Sequence, residues 1–201
     1  MFHHNLNLPE GDILIHSGDG LNRGTLQELV SLNLYFNGLK NQFKHIIYVP
    51  GNHDKIFETD PGMARIILNN AEVLIDQEIT LEGLKIYGSP YTKLFMNWSF
   101  MGAEPDLKRI FNKIPKDLDI LITHGPPYSI LDANREGILC GSQSLYDQVI
   151  KVQPKIHVFG HIHESSGLLN FNKTHFVNAA VLNDSYKITN EPKIFFLETK
   201  K

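Results

Sequence analysis

Four short apolar runs constrain this chain most, because each is broken by glycine or proline and each delivers a polar side chain that can bind a cation. Asp12-Ile13-Leu14-Ile15-His16 runs into Ser17-Gly18-Asp19, and His45-Ile46-Ile47-Tyr48-Val49 runs into Pro50-Gly51-Asn52-His53-Asp54. Ile120-Leu121-Ile122-Thr123 runs into His124-Gly125-Pro126-Pro127, and Val158-Phe159 runs into Gly160-His161-Ile162-His163. Runs this short, closed by Gly or Pro, read as buried parallel strands rather than helices. In an open α/β sheet the ligand site lies beyond the carboxyl ends of the strands. The pattern therefore predicts Asp, Asn-His-Asp, His and His-x-His gathered in one place. Neutral imidazole is the commonest transition-metal ligand, and two rings one residue apart have few purely structural uses.

The segments between these runs alternate with them. Thr25 to Leu39 is broadly helical in its apolar spacing, with Thr25 placed to cap and Gln27-Glu28 in the first turn. Further helices are expected over Gly62 to Asn70 after Pro61, and over Ser142 to Val152 before Pro154. Val73-Leu74-Ile75, Ile79-Thr80-Leu81 and Leu84-Lys85-Ile86-Tyr87 read as antiparallel strands with a turn at Glu82-Gly83. Gly167 to Phe171, His175 to Asn178 and Ile194 to Leu197 repeat that pattern, with a turn at Asn172-Lys173, and a second sheet packed on the first is expected. Strand and helix alternation argues for a layered α/β domain.

Bulk properties narrow the function classes. The length suits one domain, residues 1–201, with an ordinary apolar share of 42%. The single cysteine, Cys140, cannot pair within the chain, so a reducing, cytoplasmic compartment is the simplest expectation. The sequence contains no apolar stretch of membrane-spanning length, and a start at Met1-Phe2-His3-His4 has no signal-peptide pattern. A formal charge of −3 gives no general attraction to nucleic acid, so a phosphate substrate has to be held by metal charge.

Taken in order, Gly18-Asp19, Gly51-Asn52-His53-Asp54, Thr123-His124-Gly125 and Gly160-His161-Ile162-His163 resemble the calcineurin-like metallophosphoesterases. Tyr87-Gly88-Ser89-Pro90, Asn97-Trp98, His124-Gly125-Pro126-Pro127 and the string from Val158 to Glu164 are most similar to the branch of metallophosphoesterase-domain proteins, which is like class III cyclic-nucleotide phosphodiesterases. The resemblance spans Leu8 to Leu197. It implies a four-layer sandwich of two mixed β-sheets flanked by helices, and a metal-dependent phosphoesterase acting on small phosphodiesters or phosphomonoesters. It also implies a dinuclear centre of Mn, Fe or Zn, since oxygen and nitrogen donors dominate and no thiolate is at hand.

Carried over by resemblance, the second metal falls to Asp19, Asn52, His124 and His161, with Asp19 bridging to a first metal that His163 completes from the opposite side. Such a pair would activate a shared water and clamp the phosphoryl oxygens. His53 would serve as general acid to the leaving group, with Asp54 hydrogen-bonded to its far nitrogen. The family's first motif, an Asp-x-His closing the first strand, is missing before Asp19. A start that cuts off that strand is one reading. A ligand role for His3 or His4, and a genuine loss that leaves a catalytically impaired interaction protein, are the others. Loss of a central strand would expose a sheet edge and lower stability.

Other side chains receive plainer readings. His16, His45, His157 and His175 lie within or beside strand patterns and are assigned to packing or surface. Trp98 is assigned to the core rather than to base stacking, Cys140 is assigned no reactivity, and Glu164 is read as solvated or as a support to the histidine pair.

Overall fold

A computed structural model describes residues 5–198. The proposal that His3 or His4 acts as a ligand lies outside the described residues. The chain runs β1 (Gly11–His16), α1 (Leu26–Gly38), β2 (Phe43–Tyr48), α2 (Ile56–Thr59), α3 (Pro61–Ile67), β3 (Glu72–Val73), β4 (Gln77–Leu81) and β5 (Leu84–Ser89). It continues through β6 (Thr92–Lys93), β7 (Met101–Gly102), α4 (Glu104–Phe111), β8 (Ile120–Thr123), α5 (Gln143–Val152), β9 (Ile156–Phe159), β10 (Gly167–Phe171) and β11 (Thr174–Asn178).

The strands form two principal sheets. β1, β2 and β3 are parallel, with Ile13 opposite His45 and Ile47 opposite Glu72. The second sheet has the order β10-β11-β9-β8-β5-β4, parallel at its centre and antiparallel at both margins. A small parallel pair, β6 and β7, stands apart. Ile47, Val49 and Leu74 from one sheet meet Leu84, Ile86, Ile120 and Ile122 from the other in a buried layer. Leu29, Leu32 and Phe36 of α1 cover the outer face of the first sheet, together with Phe57 of α2 and Ala64 of α3. Leu107 and Phe111 of α4 and Leu145 and Val149 of α5 cover the outer face of the second. Helix, sheet, sheet and helix make the four layers expected.

Local sequence explains the helix ends. The Thr25 hydroxyl accepts from the Glu28 N–H, and the Glu28 carboxylate accepts from the Thr25 N–H at 3.1 Å, closing a capping box on α1. Ser142 caps α5 through the Leu145 N–H. Gln153 then ends α5 in the left-handed region, just before Pro154, which disfavours further helix.

Two expectations need correction. β3 joins the first sheet in parallel beside β2 instead of pairing with β4, because the two residues of β3 are held by β2 before the chain crosses to the other sheet. Residues 194–197 are not a strand. Leu197 packs between the two sheets, while Phe196 is 95% exposed. α4, a segment to which the sequence reading assigned no element, carries acidic Glu104 and Asp106 in its first turn and Lys108 and Arg109 in its last, as the helix dipole favours.

β1 has one strand partner among the described residues, β2. A cavity of about 1050 Å³ runs along its other side, lined by Ile13, Ile15, Ile156, Val158 and Val177, and opens towards Asp19 and His161. Among the described residues no helix is long and apolar enough to cross a membrane.

Candidate metal centre

The four motif-bearing strands divide between the sheets, β1 and β2 in one and β8 and β9 in the other, and their carboxyl ends meet where the two sheets face each other. Asp19, His124 and His161 each bring one ligand atom into a group whose members all lie within 4.8 Å of one another. Asn52 joins them with Oδ1 2.8 Å from His124 Nε2. Loop closure at this point is tight. A Cβ on Gly51 would stand 2.3 Å from Asp19 Oδ1 and 2.5 Å from His124 Cε1, so only glycine lets the Asn52 loop approach. Asp19 and His161 themselves adopt left-handed backbone, φ 58° and 69°, a conformation that costs energy outside glycine and clusters at functional sites.

Hydrogen bonding decides what this group can hold. His124 Nδ1 lies 2.9 Å from the Ser17 carbonyl, which can only accept, so Nδ1 carries the proton of the neutral ring. Nε2 then turns a lone pair towards Asn52 Oδ1 and towards Asp19 Oδ2 at 3.4 Å. Lone pairs converging in a buried place repel unless a proton or cation sits among them. The residues therefore fit a metal ion. Burial disfavours the imidazolium of His124, yet the neighbouring Asp19 charge and hydrogen bond raise its pKa above the ordinary value. The Asp19 carboxyl is held below the usual carboxylate range against the pull of burial, chiefly by His124. His161 is lowered to about 3, first by burial and then by His124, so its ring stays neutral and able to ligate.

Asp54 departs from its expected place. It does not hold the far nitrogen of His53. Its buried carboxylate accepts from the backbone N–H of Gly51 at 2.6 Å, of Asp19 at 2.8 Å and of Leu21 at 2.9 Å, and it also bonds the Tyr48 hydroxyl. These partners tie the Asp19 loop to the Asn52 loop, and they leave the carboxylate no free direction towards His53. Burial, then the Asp19 charge, pushes the Asp54 pKa up to about 6. His53 is oriented instead by the Asn22 carbonyl, 2.8 Å from its Nδ1, and by its own N–H, which donates to Asp19 Oδ1 at 2.9 Å.

The remaining candidates fall around this group. His163 opens a short 3-10 turn, His163–Ser165, and its Nδ1 faces the Asn183 carbonyl at 3.0 Å while its ring stands edge-on to Tyr186. It lies outside the cluster formed by Asp19, His124 and His161. His16 accepts from the Gly18 N–H and packs on Tyr48 and Phe36, and burial lowers its pKa to about 4. His157 is fully buried under Phe159 and Phe176. Trp98 is a second correction: the indole is 42% exposed and stands 4.4 Å from the His53 ring, centroid to centroid. Sequence reading missed it because the loop after Ser89 carries no periodicity to fix which way a side chain points. The carbonyls of Ser17 and Asn22, which set the two imidazole tautomers, have no side-chain signature at all.

With this geometry in view, the comparisons agree. The calcineurin-like phosphoesterase family model matches residues 1–165. Human metallophosphoesterase domain-containing protein 1 is 33% identical over 222 residues, covering 98% of this chain and 68% of its own length. A UPF0046 protein of Caenorhabditis elegans is 35% identical over 208 residues, covering 94% of this chain and 73% of its own length. Among solved structures, the Mycobacterium tuberculosis phosphopantetheinyl hydrolase shares the fold with a TM-score of 0.55 at 15% identity, over 89% of this chain and 81% of its own. TT1561 of Thermus thermophilus does so with a TM-score of 0.59 at 11% identity, over 85% and 77%. Motif order, layered fold, ligand geometry and sequence likeness all lead to one statement: the chain belongs to the calcineurin-like phosphoesterase family.

Proposed function

We propose that this chain hydrolyses small phosphate esters, with Asp19, Asn52, His124 and His161 holding a divalent cation and His53 supplying a proton to the leaving group. The observation that carries the reading is the convergence of His124 Nε2, Asn52 Oδ1 and Asp19 Oδ2, which suits a cation and little else. A bound divalent ion supplies Lewis-acid charge for the phosphoryl oxygens and activates water. The donor set of imidazole and oxygen favours Mn, Fe or Zn. A second cation on the His163 side of Asp19 belongs to the same proposal, as does a reducing, cytoplasmic setting for the lone Cys140.

The chain's own residues contribute positioning and proton transfer. The Ser17 carbonyl keeps His124 in the tautomer whose Nε2 is free to ligate. The Asn22 carbonyl holds the proton of a neutral His53 ring on Nδ1, so Nε2 is the atom left to carry the second proton of the imidazolium and to pass it to the leaving group. Asp54 acts as a positioning residue, fixing the loops that present Asp19 and Asn52.

Metal content of the purified chain, together with Mn²⁺-stimulated hydrolysis of bis(p-nitrophenyl) phosphate, tests this directly. His53→Gln is expected to lower turnover about 100-fold or more, the usual share of general acid catalysis, while metal content stays unchanged. A folded, metal-loaded chain without hydrolytic activity would favour the non-catalytic interaction protein instead.

A further inference from the structure

A second, smaller cavity adjoins the metal group, sharing Asn52, His53 and Trp98 with the larger cavity that Asp19 lines. Its volume is about 190 Å³, and Asn22, Arg23, His53, Lys55, Glu58 and Trp98 are among its lining residues. One wall is the half-exposed indole of Trp98, tilted 53° against the His53 ring. Two cationic side chains, Arg23 and Lys55, face the same space. Glu58 is the one acid among those six, and its Oε1 is engaged by the Phe100 N–H at 3.0 Å, which anchors the loop that carries Trp98.

We propose that this cavity is a subsite for an aromatic leaving group, with Trp98 as its stacking wall and Arg23 and Lys55 favouring an anionic ester. The proposal rests on the phosphoesterase reading only in calling the occupant a leaving group. Size sets the class of occupant: an engineered cavity of about 150 Å³ takes up one benzene ring, so this space admits one aromatic ring beside the phosphate. Flat exposed aromatic surface stacks on other rings whatever their substituents, and offset or edge contacts with the indole give direction as well as area. His53 lines both this cavity and the larger one that holds Asp19 and His161, so it stands beside the oxygen that would join ring and phosphorus and can give it a proton. Core packing, the alternative role for Trp98, is inconsistent with its exposure.

Trp98 is the chain's single tryptophan, so its fluorescence reports this subsite alone. p-Nitrophenyl phosphate, titrated into the EDTA-treated chain, is expected to quench it along a saturable curve, against the linear collisional quenching of free N-acetyltryptophanamide. Cyclohexyl phosphate, of similar size without a π face, is expected to leave the signal unchanged. Arg23→Ala and Lys55→Ala should each weaken the saturable curve severalfold. With metal restored, Trp98→Ala should raise KM for bis(p-nitrophenyl) phosphate about tenfold, and Trp98→Phe less, with kcat nearly constant. Linear quenching, or equal binding of cyclohexyl phosphate, would overturn the subsite. Saturable quenching in a chain that hydrolyses nothing would keep the subsite and remove the phosphoesterase reading, and hydrolysis without saturable quenching would do the reverse.

Discussion

His124 and His157 are both buried, 1% and 0% exposed, and Thr123 touches the surroundings of both, yet they behave in opposite ways. His124 stands at the carboxyl end of β8, facing a carboxylate, an amide oxygen and a carbonyl, and its pKa rises. His157 lies inside β9, where its Nε2 meets the Thr123 hydroxyl at 2.8 Å and its Nδ1 has no partner, and burial alone lowers its pKa to about 3. The Thr123 hydroxyl donates to the Gly125 carbonyl, so it accepts from His157, which fixes the proton on Nε2. Burial thus disfavours the imidazolium in both places, and at His124 alone the facing negative charge outweighs it. Negative charge at the strand end is what distinguishes the proposed ligand from the core histidine.

The largest expected effect separates the two by metal affinity. Loss of a residue that merely supports a ligand typically costs 10- to 100-fold, so His124→Ala, which removes a proposed ligand, should weaken Mn²⁺ binding by more than about 100-fold. His157→Ala should leave metal affinity within about threefold, since it lies in the core and not in the site. Isothermal titration with Mn²⁺ on both variants measures the contrast. Equal losses would mean that the strand-end position does not distinguish them.

Much of this contrast was legible from sequence. Gly160 marks where β9 ends, so His161 and His163 read as lying beyond the strand and His157 as lying within it. The same logic found Asp19, Asn52 and His124. Strand periodicity and breakers report where the backbone turns, and that is enough to assign an end of a sheet. They do not report which hydrogen-bond partner a side chain finds across the fold. The family resemblance implied a bond between Asp54 and His53, whereas three backbone N–H groups from two loops hold the Asp54 carboxylate. Trp98 and the parallel seating of β3 failed for the same reason: both depend on non-local contacts. The apolar string at Ile194 to Leu197 reads as a strand, and what it lacks in the described structure is a sheet partner.

Asp54 offers the next sharpest test, because it serves the ligand side of the comparison without touching a cation. Asp54→Ala leaves the N–H groups of Asp19, Leu21 and Gly51 without their acceptor. Bonds to charged groups contribute about 1.5 to 3 kcal/mol each, and some of that is recovered by entering water, so a net loss of about 3 kcal/mol in urea unfolding is expected. Metal affinity should fall with it, as the Asp19 and Asn52 loops come apart. His53 should keep its orientation, because the Asn22 carbonyl holds it, and unchanged His53 nuclear resonances would separate this role from a direct catalytic one. Loss of His53 order would restore the bond between Asp54 and His53 that the resemblance implied.

The smallest effect concerns acid and isolates His157. Its folded pKa of about 3 lies below the ordinary 6.5, so the unfolded chain binds a proton that the folded chain refuses. Stability from this group is complete above pH 6.5 and is lost as pH falls towards 3. Over pH 6.5 to 5 the loss amounts to about 2 kcal/mol, at 1.36 kcal/mol per pKa unit. Asp54 works the other way: with its pKa raised to about 6, it favours the folded state as pH falls from 6 towards 4. The two partly cancel in the native chain, which is why the variant matters more than the wild-type curve. His157→Phe removes the titrating ring while Phe159 and Phe176 accept another aromatic side chain. It forfeits the Thr123 bond, about 1 kcal/mol, but it also deletes the unpartnered Nδ1. Near-wild-type stability at pH 7 and a gain relative to wild type at pH 5 are therefore expected in urea titrations. Parallel pH dependence in the two proteins would mean that His157 takes up its proton in the folded core, and the neutral imidazole on which the contrast with His124 rests would be wrong.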